Sequence, residues 1–211
     1  MDYTTLIADK NTDGSIKSWI SYGKVPSTVI LEEAQTELYR RLRTREMRVT
    51  VDVPLALGAN TAALPARYID PIYMRLRNEN YYLKHKPQHD LEGHMIWDSG
   101  LNNWATGLPS FFSVYNEIIN FDMRADQAYA LRFSFYRQPE LLGPTVQTNF
   151  LTERYPRLLR ASCLRAAAEF MESTEKKREY EADVARILAE IDIMDEMSMT
   201  GLDPDLEISN V

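Results

Sequence analysis

His85, His89, Asp90 and His94 come nearest to a metal-ligand set in this sequence. Zinc chemistry would need two imidazoles four apart on one helical face, and Pro87 interrupts any helix that would place them so. The three histidines read instead as loop residues between two hairpins, mixed with Lys84 and Lys86. Glycoside hydrolysis would need two carboxylates about 5–9 Å apart in unlike environments. Glu117 or Asp122, both set among aromatics, could supply one of them. In a chain with 31 acidic residues such a pair says little, and ordinary turn carboxylates at strand ends account for both. The single cysteine, Cys163, excludes an intramolecular disulfide and falls on the apolar side of a helix, where an inert buried thiol is expected. None of the eight glycines stands in a phosphate-cradling loop with the required Lys-Ser/Thr. The expectation is a non-enzyme with no metal and no cofactor. A cell-wall muralytic hydrolase or a host-glycan-binding tail module is the alternative.

Charge and aromatic residues point instead to contact surfaces. The net charge of −7 sits at one end: Glu190, Asp192, Asp195, Glu196, Asp203, Asp205 and Glu207 follow Ile187 with no Lys or Arg among them. A basic cluster, Arg40, Arg41, Arg43, Arg45 and Arg48, lies towards the other end. Opposite fields of this kind orient two copies or two partners, and solvated helix faces would carry the same pattern. Net acidity argues against ordinary high-affinity nucleic-acid binding. The opening MDYTTLIADK has an acid at position 2 and no apolar run long enough for export or insertion, so synthesis in a cytoplasm and no membrane association are expected. Trp97, Trp104, Phe111, Phe112 and Tyr115 gather around Gly107-Leu108-Pro109. They suit a platform for sugars or bases, or the core and subunit interface of a β-module; the second fits better, because so many exposed rings would favour aggregation.

The elements that position these residues follow from periodicity. Pro26 and Ser27 start a helix expected to reach about Arg45, with Ile30, Ala34, Leu38 and Leu42 in one stripe and Leu31 beside them. From Met47 to about Asn149 the alternation of side-chain type indicates strands. A hairpin is expected around Asn78-Glu79-Asn80, a second strand pair at Phe111–Tyr115 and Ile118–Phe121, and a further strand at Ala130–Tyr136. Gly143 to Asn149 reads as a linker. Helical period returns at Tyr155-Pro156, breaks near Ser173-Thr174 and resumes with Tyr180, Val184, Ile187, Ile191 and Met194 in an a/d seam. The expected fold class is α+β, a helical bundle formed by both chain ends with an inserted antiparallel β-module. Its parts would be 1–47, the β-rich 48–149, a helical hairpin over 150–199 and an acidic tail over 200–211.

In this order the features resemble a known family, the head-to-tail adaptor proteins of short-tailed bacteriophages, in particular the SU10-type adaptors. The resemblance runs over about residues 26 to 195 and rests on Ile30-Leu31-Glu32-Glu33-Ala34, Ala63-Leu64-Pro65, Trp104 with Gly107-Leu108-Pro109 and Phe111-Phe112, Tyr136-Arg137-Gln138-Pro139, and the helix from Tyr155-Pro156 to Met171. The stretch Phe121-Asp122-Met123 and the C-terminal tail depart from the family pattern. The resemblance implies a virion protein of the tail or neck, in a dodecameric ring of its own copies beneath the portal protein. Such a ring would extend the channel for genomic DNA, without sequence-specific binding, and dock tail nozzle or tail fibre proteins. On that reading the acidic residues Glu190 to Glu207 would meet the portal or a neighbouring copy, the five arginines would form a basic interface, and Trp104, Leu108, Phe111 and Phe112 would face the tail.

Overall fold

The structure, a computed structural model, describes residues 1–9, 11–20, 25–100 and 103–200, without the side chains of 98 and 196–200. The chain falls into two compact units, Met1–Glu46 with Pro139–Val211, and Met47–Gln138. Seven helices are described: α1 (Tyr3–Ile7), α2 (Ile16–Ile20), α3 (Ser27–Arg41), α4 (Gln88–His94), α5 (Phe150–Arg154), α6 (Pro156–Phe170) and α7 (Thr174–Thr200). All but α4 belong to the first unit.

The stripe expected on α3 is buried throughout, from Ile30 and Leu31 through Ala34 and Leu38 to its cap at Leu42. The helix stops at Arg41, short of the expected Arg45, because Leu42 turns into extended backbone. Arg43 then folds back and donates to the carbonyls of Leu42, Arg40 and Tyr39 at 2.7, 3.1 and 3.3 Å, satisfying acceptors that a helix end leaves open. Gln35 and Tyr39 lie on the same buried face and hold the returning chain. Gln35 Oε1 accepts the Leu142 amide at 2.7 Å, and Asn149 Nδ2 donates to Tyr39 Oη at 2.9 Å. The Asn149 carbonyl oxygen of the side chain in turn accepts the Leu151 and Thr152 amides and caps α5. Residues 143–149, expected as a linker, are therefore clamped to α3 at either end, through Leu142 just before them and through Asn149.

Pro156 occupies the first turn of α6, where its missing N–H costs nothing. Its alanines 161, 166, 167 and 168 are buried and let it approach both α3 and α7 closely. Glu172 takes a left-handed φ of 57° at the turn into α7. The seam on α7 buries Val184 and Ile191, but Met194 is 68% exposed, so the apolar seam ends at Ile191.

The second unit is built on strands β1 (Arg48–Leu55), β2 (Thr61–Ala63), β3 (Tyr68–Leu76), β4 (Tyr82–His85), β5 (Trp97–Asp98), β6 (Asn103–Trp104), β7 (Thr106–Gly107), β8 (Phe111–Tyr115), β9 (Ile118–Phe121), β10 (Arg124–Ala125) and β11 (Tyr129–Arg137). Seven of them form one sheet in the order β1-β11-β3-β4-β8-β9-β2. Its two ends, β1 and β2, approach one another, so the sheet is nearly closed like a barrel. The inward rows, Val53, Leu131, Phe133, Phe135, Met74, Leu83, Phe112, Ile119 and Phe121 among them, make a core of their own. Both expected hairpins form: β3 pairs with β4, and β8 with β9 through Asn116 and Glu117, both at left-handed φ as a tight turn demands. Pro54 sits in β1 at the end of the strand order, and Pro71 at a bulge of β3 opposite Phe135, the two places where a strand tolerates proline.

The structure corrects the expected fold class in two respects. The chain is organised around the barrel-like seven-stranded sheet with helices mainly C-terminal, and is not a bundle formed by both ends. The N-terminal segment supplies one long helix and two single-turn pieces, whereas a nearly closed sheet buries its inner face without needing a bundle to cover it. The sheet is also mixed rather than antiparallel, since β4 and β8 run parallel, with Lys84 beside Phe111 and His85 beside Phe112. A parallel pair needs a crossover of a dozen or more residues, and 86–110, with α4 and the β5–β6 ribbon inside it, is that crossover. The histidine stretch is therefore no plain loop: Pro87 caps α4 instead of breaking it.

Candidate functional site

Asp122 is buried, and its Oδ1 accepts the amides of Ser110 and Phe111 at 3.0 and 3.1 Å, which ties the start of β8 to the end of β9. Glu117 is the exposed second residue of the β8–β9 turn. Cys163 has no exposed surface, and burial pushes its thiol up to about 12, so it stays protonated at neutral pH. Among the described residues no group of three or more His, Cys, Asp or Glu could hold a metal ion, and no described helix is long and apolar enough to cross a membrane.

The two charged ends meet within the first unit. The Arg45 amide donates to Asp195 Oδ1 at 3.2 Å, and Arg41 lies 3.5 Å from Glu181 on α7. Glu190 is taken up by Arg186 one turn earlier, at 3.3 Å. Asp192 is exposed; the side chain of Glu196, and Asp203, Asp205 and Glu207 entirely, lie outside the described residues. Of the basic cluster, Arg40 is exposed, Arg43 caps α3, and Arg45 pairs with Glu46 at 3.5 Å. Arg48 stands in β1, its guanidinium 5.5 Å over the Tyr136 ring.

Sequence periodicity does not show what joins these charges. Arg165, 6% exposed in the middle of α6, contacts Glu37 of α3 and Glu169 one turn on, while Glu37 also meets Arg41 at 2.8 Å and Glu169 meets Lys177 of α7 at 2.8 Å. One chain of ion pairs thus links three helices. The Lys177 ammonium, with Arg165 behind it, holds the Glu169 carboxyl below its ordinary value of 4.5. Burial works against ionisation of Glu46, yet its backbone amide and Arg154, at 2.8 Å, still keep it low. Carboxyls depressed in the folded state stabilise it above the unfolded value of 4.5 and lose that contribution as the pH falls through their folded values. Helix content at 222 nm is therefore expected to melt at progressively lower temperature below about pH 4.5 and to be insensitive to pH between 6 and 8.

The aromatic loop divides between core and surface. Phe112 is buried edge-on to Phe133 with ring centroids 5.9 Å apart, and Leu108 packs against the same core. Phe111 is half-buried, stacked on His94 at 4.5 Å and lying 5.6 Å from the Lys86 ammonium. Trp104 meets Trp97 edge-on across β5–β6, and Trp97 and Ile96 are 52% and 55% exposed. Beside Trp104 lies a cleft of about 350 Å³ walled by Asn60, Gln88, Glu92, Met95 and Asn120. Gln88 is already bonded to Glu92 at 3.0 Å and to the Ser113 hydroxyl. The cleft is a hydrogen-bonding surface.

Charged helices in one unit and exposed rings on the other are surfaces suited to contact with other chains. A family model described as the SU10 adaptor protein matches residues 1–205, and the chain belongs to that family. It is a bacteriophage adaptor protein and a virion component. No curated protein matches the chain.

Proposed function

We propose that the chain assembles into a ring, of about twelve copies by analogy with its family, beneath the portal vertex, where it extends the DNA channel and docks tail proteins. The family match over residues 1–205 carries this reading. A ring with one repeated heterologous contact needs two different complementary surfaces on each copy. The acidic end from Glu190 to Glu207 is one, docking on the portal or on the neighbouring copy. The loop from Trp104 to Phe112 faces the tail, and the exposed Trp97 ring against Trp104, with the exposed Ile96 beside it, supports that assignment.

Electron microscopy of the chain mixed with purified portal tests the reading. Portal-capped rings are expected from the full chain, and a mixture that never forms them would sink it. Deleting residues from 200 onward is expected to abolish attachment while leaving helix content unchanged; attachment at the wild-type level would remove the tail from the interface. Trp104→Ala is expected to assemble on the portal but lose tail recruitment, and normal recruitment would count against the loop.

A further inference from the structure

Resting on that ring reading, we infer that the outer face of the sheet is the receptor for the acidic C-terminal segment of a second copy. The alternate residues of β1, β11, β3 and β4 that do not enter the core stand in one row, Asp52, Arg132, Arg75 and Tyr82, each directly opposite the next. Arg132 and Arg75 are therefore cross-strand neighbours, a like-charge pair that weakens a sheet unless an anion meets it. Asp52 is shared between Arg132 at 3.8 Å and Arg77 at 3.1 Å. Arg75 reaches a backbone carbonyl, that of Glu79, at 3.4 Å. Lys84, exposed on the next row, adds a further cation. Tyr73 and Tyr82, edge-on with centroids 5.8 Å apart and 36% and 53% exposed, give the face an apolar strip. A chain of net charge −7 thus carries a locally cationic, aromatic surface on its β-unit.

The occupant follows from complementarity. Among residues 187–211 there are seven acids and no base, and at the end Asp203, Asp205 and Glu207 interleave with Leu202, Leu206 and Ile208. Carboxylates for the arginine row and aliphatic groups for the tyrosines are thus present in one short segment. Duplex DNA would match the cations but offers no counterpart to the tyrosine strip. A tail on one copy and a receptor on the next make a heterologous contact, the kind that closes into a ring.

The test uses a fluorescent peptide of residues 200–211 and the full chain with its own tail neutralised by Asp203→Asn, Asp205→Asn and Glu207→Gln. Anisotropy is expected to show saturable binding at low salt, weakened about tenfold or more by 0.5 M salt. Arg75→Glu with Lys84→Glu should abolish it while leaving the circular dichroism spectrum unchanged, and a Thr50→Ala variant on the same face should bind as before. Absence of binding, undiminished binding by the charge-reversed face, or binding of duplex DNA but not of the peptide would each overturn the inference. Rings seen by electron microscopy without peptide binding would end this inference and leave the ring reading standing; peptide binding without rings would do the reverse.

Discussion

Arg165→Ala is expected to destabilise the helical unit by roughly 2–4 kcal/mol, read as a lower urea midpoint of the 222 nm signal. The guanidinium is almost wholly buried in α6, and its removal leaves Glu37 with Arg41, whose side chain is 41% exposed and screened by solvent. Cutting one partner from a buried pair costs more than the pair is worth, because the remaining charge keeps its desolvation penalty. Glu37→Gln keeps an amide oxygen beside Arg165, which also retains Glu169, and should cost less than Arg165→Ala, which removes the whole buried side chain. The double variant should be more stable than the sum of the two by about 1–3 kcal/mol. Additivity within about 0.5 kcal/mol would mean that the two side chains do not act as a pair.

Phe133→Ala is expected to cost roughly 3–5 kcal/mol, measured in the β-unit through near-ultraviolet circular dichroism. Phe133 has no exposed surface and lies at the centre of the aromatic core, with Tyr68, Phe112 and Phe135 at centroid distances of 5.9, 5.9 and 5.1 Å. Truncation leaves a cavity that a nearly closed sheet, tied on both sides by neighbouring strands, cannot collapse to fill. Tyr73→Ala, on the neighbouring strand β3 but on the opposite face, should change stability by less than about 1 kcal/mol. Equal losses from the two would show that the inward and outward rows are wrongly assigned.

Much of the local structure was legible in the residues. The i, i+4 stripe from Ile30 to Leu42 marked the buried face of α3, and Tyr155-Pro156 marked the start of α6. Alternation from Leu131 to Phe135 marked the inward row of β11, and the polar turn residues at Asn78–Asn80 marked a hairpin. Other features left no local trace. Gln35 and Arg165 lie on buried faces as polar residues, and a pattern of apolar spacing passes over both. Their partners, Leu142 and Asn149 for one and Glu37 for the other, are distant in sequence. The family was legible as an order of motifs, and residues 1–205 match its model. A row of charge such as Arg132 beside Arg75 was not, because it exists only once β11 and β3 are paired.

By itself the sequence determined which side chains point inward along α3 and β11, that the excess acid lies at the C-terminal end, and the family to which the chain belongs. Side-chain direction depends on a period of 2.0 or 3.6 residues, and that is a local property. The tertiary structure alone decided that the β-unit nearly closes, that β4 and β8 run parallel, and that cations from separate strands share one outer face. Strand pairing is a choice among distant partners, and loop-closure entropy rises only slowly with the length between them, so separation along the chain does not specify the neighbour.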